Sequence, residues 1–299
     1  MNKQFKVLIL GYGEMGHAME YLLNERQQLY IWDKYPANDF RSVVLEDAAP
    51  GADIVLFCLP VNPHREIAKQ IAPLLKKTCL CISIAKGLDE AGQTAAQIFH
   101  DVFAGHQLYA LLYGPMISEE IRTGRYAFAQ SGCDDVDSYN RIRSLFNGTH
   151  LYIEHTSDIT GISWSVILKN VYALVFGMAD ELQLGDNMRG YLSVVALREL
   201  EQIVCKMGGQ TGSSYHLAGL GDLITTATSE DSHHHELGRM LAREEVNGIE
   251  GEGVHTLEMV SKYQLINIAN FPLFQLIRDI VRQPQDVNKK ILNYLNRLP

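Results

Sequence analysis

The first half of the chain alternates short apolar runs with amphipathic stretches. The intervening stretches 14–24 and 63–75 have the spacing of helices. Strands that are buried on both faces and separated by helices are typical of a doubly wound, mainly parallel sheet. The pattern therefore predicts an α/β domain. Its predicted strands are Lys6–Leu10, Gln28–Trp32, Ile54–Leu59, Cys79–Ala85, Leu108–Leu112, Ala127–Ser131 and Leu151–Glu154.

The pattern changes after about Ser157. No further strand pattern follows, and long helical periodicities run from Ile159 to the end of the chain. We therefore predict two domains, with residues 1–157 forming the α/β domain and residues 158–299 forming an all-α domain.

The stretch Ile159–Ala179 is apolar and contains one charged residue, Lys169. It is long enough to cross a bilayer. Polar interruptions at Ser163, Ser165 and Asn170 favour a buried helix instead, so we expect no membrane span.

Composition narrows the function classes. The chain has 299 residues, 46% of them hydrophobic and 20% charged, as in an ordinary globular protein. Its net charge is −9, and no basic block is present to neutralise nucleic-acid phosphates. The start of the chain lacks the apolar core of a signal peptide. Five cysteines without Cys-x-x-Cys spacing fit a reduced, cytoplasmic setting and predict no metal site.

A glycine motif follows the first predicted strand directly and opens a helix. Such a turn lets the backbone approach a pyrophosphate at a helix N-terminus. A purely structural glycine turn is the alternative, but Asp33, at the end of the second strand, can bind the ribose hydroxyls of NAD. Neighbouring Lys34 leaves NADP open. The predicted cofactor-binding residues of this motif are Gly11, Tyr12, Gly13, Glu14, Met15 and Gly16.

Lys169 lies in the middle of the apolar helix, where an unpaired ammonium would be costly. One interpretation is a side chain that reaches solvent from a helix end. The other is a proton donor, because desolvation favours loss of its proton. Asp222, in a Gly-rich turn, is the natural carboxylate partner, although it could equally cap a helix. We predict that Lys169 and Asp222 are catalytic.

Ser232 is followed by three consecutive histidines, His233–His235. Ser232 is a good N-cap for a helix through Leu241. Successive helical residues point in different directions, so the histidine run is not a metal motif. It is predicted to be an exposed or substrate-facing turn.

Several motifs together resemble the NAD(P)-dependent glycerol-3-phosphate dehydrogenase family over nearly the whole chain. The resemblance implies a Rossmann domain, a helical substrate domain, possible homodimers, and reversible reduction of dihydroxyacetone phosphate to sn-glycerol 3-phosphate. Beside the glycine motif, the segments that carry it are 83–88, Gly114-Pro115, Ser118-Glu119, 168–171, 185–187, 219–223 and Glu252-Gly253.

The resemblance also implies roles for individual residues. Lys169 resembles the catalytic acid/base. The predicted substrate-binding residues are Lys86, Gly114, Asn170, Thr226, Ser232, His233 and His234, with Asp222 beside them. The further predicted cofactor-binding residues are Pro60, Lys86, Ser118 and Glu252.

Two departures from the family pattern fall on the expected substrate pocket. His233-His234 replace an Arg-Asn pair that binds phosphate, and Met116 replaces a small polar residue. Histidine is only partly charged near neutral pH, whereas arginine always is. Two alternatives therefore stay open: a related two-domain dehydrogenase of another small hydroxy compound, or an NAD-binding regulatory protein without catalysis.

Overall fold

The structure, a computed structural model, describes residues 4–37, 40–229 and 232–298. These residues form two compact units. The sheet unit comprises the described residues up to 89 together with 93–159, and the helical unit comprises 90–92 and 160–298. The short excursion of residues 90–92 into the helical unit has no signal in the hydrophobic pattern.

The sheet unit contains, over the described residues, a seven-stranded sheet of order β2-β1-β3-β4-β5-β6-β7. All neighbouring pairs are parallel except β5 and β6, which confirms the predicted mainly parallel sheet. β3 and β4 are shorter than predicted because apolar residues continue into the turns beyond the ladder. The strands are β1 Lys6–Leu10, β2 Gln28–Trp32, β3 Ile54–Phe57, β4 Leu80–Ser83, β5 Leu108–Tyr113, β6 Ala127–Gly132 and β7 Leu151–Thr156.

Helices cover both faces of this sheet. Alternate residues of the central strands pack to opposite sides: Val7 and Ile9 belong to one apolar cluster, and Leu8 and Leu10 to another. Burial on both faces is the physical reason for the unbroken apolar runs. The helices of this unit are α1 Glu14–Leu23, α2 Leu45–Ala48, α3 His64–Ile71, α4 Ala95–Phe103, α5 Ser118–Arg122 and α6 Val136–Leu145.

The helical unit is built around one long helix. Within the described part of the chain, this helix alone has the length and hydropathy to cross a bilayer, and 89% of the 18-residue apolar window within it is buried inside the protein. A core helix was predicted, and the burial confirms it. In order, the helices are α7 Ile159–Glu181, α8 Gly185–Lys206, α9 Asp222–Thr228, α10 His233–Ala242, α11 Glu252–Tyr263, α12 Pro272–Arg282 and α13 Val287–Leu295.

α7 and α10 approach each other closely at two glycines. A Cβ atom on Gly177 would lie 1.9 Å from the carbonyl oxygen of His235, and one on Gly238 would lie 2.1 Å from the carbonyl oxygen of Leu174. No side chain fits at such a backbone contact. The two glycines therefore allow α10, which begins with the histidine run, to pack directly on α7, which carries Lys169.

We expect Gly177→Ala to lower the free energy of unfolding by about 3 kcal/mol or more, because the added methyl group must push two helix backbones apart. Gly190→Ala is the matched control. Gly190 is also helical, but nothing lies within 4 Å of its added Cβ, so alanine there should stabilise by about 1 kcal/mol. Urea unfolding measures the free energy of unfolding of both variants. A Gly177→Ala protein as stable as wild type would contradict the close packing of α7 and α10.

Candidate functional site

The loop between β1 and α1 has the three glycine environments of a dinucleotide-binding turn. Gly11 has φ +92°, and a Cβ there would lie 2.8 Å from the carbonyl oxygen of Cys58. A Cβ on Gly16 would lie 2.2 Å from the carbonyl oxygen of Gly11, whereas Gly13 has nothing within 4 Å. Gly11 and Gly16 thus serve the turn and the packing, and Gly13 leaves open space for a phosphate to approach the backbone. Glu14 and Met15 open α1 behind this loop.

Asp33 holds the same loop in place. Its Oδ2 accepts a hydrogen bond from the amide of Tyr12 at 2.7 Å, and its Oδ1 accepts one from the amide of Tyr35 at 2.7 Å. Beside it lies a cavity of about 510 Å³, which His17 and Phe40 also line. The ring of Tyr12 stacks on His17 with centroids 3.8 Å apart. A carboxylate beside an aromatic-walled cavity suits the ribose and adenine of a dinucleotide.

A buried hydrogen-bond network joins the carboxyl ends of β3 and β4. His64 Nδ1 lies 2.8 Å from the carbonyl oxygen of Pro60, and its Nε2 lies 2.8 Å from Ser83 Oγ. Because a carbonyl only accepts, Nδ1 carries the proton and Nε2 accepts from the serine hydroxyl. Ser83 Oγ in turn accepts from the amide of Ala85. The network fixes the backbone at Pro60 and just before Lys86; sequence reasoning missed His64, whose only signal is a polar residue beginning an amphipathic helix.

Lys86 and Gly114 meet at the neighbouring strand ends. Lys86 follows β4, and its Nζ donates to the carbonyl oxygen of Gly114, which follows β5, at 3.1 Å. The carboxyl ends of parallel strands share one edge of a sheet, where ligands bind in open α/β folds. This edge therefore carries Gly11, Asp33, Pro60, Lys86 and Gly114 together.

Ser118 and Met116 differ in what surrounds them. Ser118 begins α5 and is buried, yet its Oγ has no hydrogen-bond partner among the described residues. Such an orphaned hydroxyl fits a position that a cofactor completes. Met116, which was expected to alter the substrate pocket, packs with Ile84 and Leu112 in the apolar cluster that also contains Val7 and Ile9.

In the helical unit, Lys169 is buried and paired. Its Nζ lies 3.3 Å from Asp222 Oδ1 and donates to Thr226 Oγ1 at 2.6 Å. The two charged side chains are 6% and 4% exposed, so Lys169 does not reach solvent. The predicted pairing with Asp222 is present. Gly221, not Asp222, is the N-cap of α9, and Thr226 Oγ1 donates back to the carbonyl oxygen of Asp222.

Asn170, the residue after Lys169 in α7, forms a hydrogen bond to α11. Asn170 Nδ2 donates to Glu252 Oε2 at 2.9 Å, and Glu252 is the first residue of α11. The helical unit thus gathers Lys169 and Asn170 on α7 with Asp222 and Thr226 on α9 and Glu252 on α11.

The three histidines point in different directions, as predicted. They form the first turn of α10 rather than a turn between elements, and His235 is buried instead of exposed. Ser232 is the N-cap of α10, and its side chain accepts from the amide of His235. The ring of His235 contacts Asp180 at 2.7 Å, and His233 and His234 reach the chain around residues 250–253. The described residues contain no cluster of three metal-binding side chains.

A complete dinucleotide-binding turn on one unit and a buried lysine–aspartate pair on the other define the class of nucleotide-dependent oxidoreductases with a helical second unit. Two family profiles match the chain. The NAD-dependent glycerol-3-phosphate dehydrogenase N-terminus matches residues 34–138, and the C-terminus of the same enzymes matches residues 158–292.

Individual relatives agree. A glycerol-3-phosphate dehydrogenase [NAD(P)+] from Mycobacterium tuberculosis is 30% identical over 263 residues, covering 79% of this chain and 76% of its own length. One from Nitratidesulfovibrio vulgaris is 26% identical and covers 96% of this chain and 98% of its own. The chain therefore belongs to the NAD-dependent glycerol-3-phosphate dehydrogenase family.

Solved structures share the fold. The glycerol-3-phosphate dehydrogenase of Coxiella burnetii matches with a TM-score of 0.84 at 21% identity, covering 98% of this chain and 99% of that one. The enzyme of Saccharomyces cerevisiae matches with a TM-score of 0.79 at 20% identity, again over 98% and 99%.

Burial lowers the pKa of His64 from 6.5 to about 4, against the opposing effect of its bond to Pro60. Between these values the unfolded chain binds a proton that the folded chain does not. The free energy of unfolding should therefore fall as pH drops from 6.5 to 4, by about 3 kcal/mol through this group.

His64→Gln should remove that part of the fall, because a neutral amide does not titrate, while His106→Gln at an exposed site should retain it. Urea unfolding across this pH range measures both. Parallel curves for wild type and His64→Gln would show that His64 is not the group responsible.

Proposed function

We propose that the protein catalyses the reversible NAD-dependent reduction of dihydroxyacetone phosphate to sn-glycerol 3-phosphate. The observation that carries the proposal is the buried group formed by Lys169, Asp222 and Thr226. An ammonium in the middle of an apolar helix is costly, and binding a nucleotide on the sheet unit does not require it. Proton transfer does. The substrate follows from the activity that the relatives' names give.

Lys169 is the proposed general acid. A nicotinamide bound on the sheet unit would supply the hydride for the ketone carbon. The Lys169 ammonium donates a proton to the carbonyl oxygen of the substrate as negative charge develops there. The amine is then reprotonated from solvent, so one ketone, one hydride and one proton give one alcohol. In the reverse direction the neutral amine takes the hydroxyl proton. Asp222 stabilises the charged form of Lys169, and Thr226 Oγ1 orients its Nζ.

The remaining substrate contacts are proposed from the two units separately. Asn170 on α7 orients the substrate hydroxyls. The anionic phosphate needs local positive groups, since the whole chain carries a charge of −9. Lys86 supplies one at the sheet edge. The other proposed contacts are Gly114, Ser232, His233 and His234, which lie at a strand end and at the N-terminal end of α10.

The proposed cofactor is NAD, with NADP as the weaker alternative. Gly11 through Gly16 bind the pyrophosphate, and Asp33 accepts hydrogen bonds from the ribose hydroxyls and repels a 2′-phosphate. Pro60, Lys86, Ser118 and Glu252 complete the proposed contacts. The orphaned Oγ of Ser118 supports this assignment from the structure.

One observation keeps a second function open. The ring Nε2 of His233 is already bonded to the carbonyl oxygen of Glu250, where the family's phosphate-binding arginine would stand. A dehydrogenase of an unphosphorylated hydroxy compound is therefore the second candidate. We further propose a cytoplasmic homodimer, for which the exposed apolar residues Val194 and Leu292 of the helical unit are candidate contacts.

Lys169→Ala should lower kcat by about 10²- to 10⁴-fold while NADH binding stays nearly unchanged. Lys169→Arg keeps the positive charge beside Asp222 but does not release a proton, so it should be equally inactive and well folded. Lys289→Ala, at an exposed lysine of α13, is the control and should be fully active. NADH oxidation and fluorescence titration measure the two properties. An active Lys169→Arg enzyme would remove Lys169 from proton transfer.

Asp33→Ser should raise the ratio of kcat/KM for NADPH to that for NADH by about tenfold or more, because the charge that repels a 2′-phosphate is gone and Lys34 remains. Asp47→Ser, at an exposed carboxylate of α2, should leave the ratio unchanged. Steady-state kinetics with both cofactors measure it, and an unaltered ratio in Asp33→Ser would show that Asp33 does not face the adenosine ribose.

A further inference from the structure

Two adjacent histidines at the start of α10 form hydrogen bonds to the backbone of the segment 250–253. His233 Nε2 lies 2.9 Å from the carbonyl oxygen of Glu250, and His234 Nε2 lies 3.2 Å from the amide nitrogen of Gly253. Their rings are 5.9 Å apart at an interplanar angle of 72°. We call these two contacts the histidine clasp.

The partners fix the protonation of each ring. A backbone carbonyl only accepts, so His233 must carry a proton on Nε2 to bond Glu250. A backbone amide only donates, so His234 must present a bare lone pair on Nε2 to Gly253. A doubly protonated His233 keeps its bond, whereas a doubly protonated His234 loses it. Protonation therefore breaks the contact of His234 and leaves the contact of His233 intact.

The clasp contacts the chain at the start of α11. Glu252 lies between its two contact points, Glu250 and Gly253. The carboxylate of Glu252 accepts from Asn170 Nδ2 at 2.9 Å. A Cβ on Gly253 would lie 2.5 Å from the carbonyl oxygen of Asn170 and 3.2 Å from Cδ2 of His234. The first turn of α11 is thus packed tightly between α7 and the start of α10, with little freedom to shift while the clasp is closed.

We propose that His234 is a positioning residue that keeps Glu252 in its cofactor-binding geometry, and that protonation of His234 releases the first turn of α11. The positioning half rests on the proposed function, because it takes Glu252 as a cofactor contact. Release would weaken nucleotide binding in acid while leaving the Lys169–Asp222 pair in place. The His-His pair therefore adds a pH response that an Arg-Asn pair at these positions lacks.

Other titratable groups belong to the elements that meet here, so a pH profile of the wild type alone does not isolate His234. They are His233 and Glu236 on α10, Glu250 in the loop, Glu252 and His255 on α11, Lys169 on α7 and Asp222 on α9. His234→Gln separates them. Its amide oxygen can accept from Gly253 much as Nε2 does, yet it does not titrate, and every other group is retained.

The experiment is amide hydrogen exchange of the peptide covering residues 249–257 in the full-length protein at pH 6 and pH 8, a range in which histidines ordinarily titrate. After correction for intrinsic exchange, the wild type should lose about three- to tenfold protection at pH 6. His234→Gln should keep its protection at both pH values, and His106→Gln should behave as wild type. His234→Ala should show the reduced protection at both pH values.

Kinetics provide the functional readout. The KM for NADH should rise at pH 6 in step with exchange in the wild type but not in His234→Gln, with kcat changing less. Equal pH dependence of exchange in wild type and His234→Gln would overturn the clasp, even if His234→Ala proves unstable. Exchange needs no turnover, so a protein inactive on dihydroxyacetone phosphate would refute the proposed function and leave the clasp to be judged by exchange. A clasp confirmed by exchange with an unchanged KM would overturn the positioning role of His234.

Discussion

The proposed chemistry of the helical unit depends on the buried ion pair of Lys169 and Asp222. Lys169 lies in the middle of the apolar helix α7, where Asp222 Oδ1 and Thr226 Oγ1 of α9 contact its ammonium. Removing one charge would leave the other buried without its ionic partner, and breaking a buried pair in this way typically costs about 3–5 kcal/mol. Replacing a buried ion pair by well-packed apolar residues is often neutral or stabilising. The pair is therefore better explained by chemistry than by stability.

The sheet unit places several loops at one edge of the sheet. The parallel strands bring Gly11, Asp33, Pro60, Lys86 and Gly114 to their carboxyl ends. Internal contacts then fix these loops: Asp33 holds the glycine turn, and His64 joins the ends of β3 and β4. The loops of the site are thus held by hydrogen bonds within the sheet unit itself. Such preorganisation reduces the free-energy cost of ordering the loops when a ligand binds.

Much of this arrangement follows from local sequence signals. Apolar runs and the glycine motif predicted the sheet and the dinucleotide turn, since strand burial and turn geometry leave a direct pattern in neighbouring residues. The pairing of Lys169 with Asp222 was also predictable, because a buried charge requires a partner. The contacts of His64 and of the histidine run were not. They join residues to backbone groups of other segments, and no pattern in the sequence specifies which carbonyl or amide a ring will meet. Met116 shows the same limit: a departure from the family pattern marks a difference but does not show that the side chain packs into the core.

The most direct test of the account is oxidation of NADH by the purified protein with dihydroxyacetone phosphate, measured beside unphosphorylated dihydroxyacetone. We expect saturable turnover with the phosphate ester and far weaker turnover with dihydroxyacetone. Absence of turnover with the phosphate ester, in a protein that still binds NADH, would contradict it. The residues around His233 would then be the place to look for a different substrate.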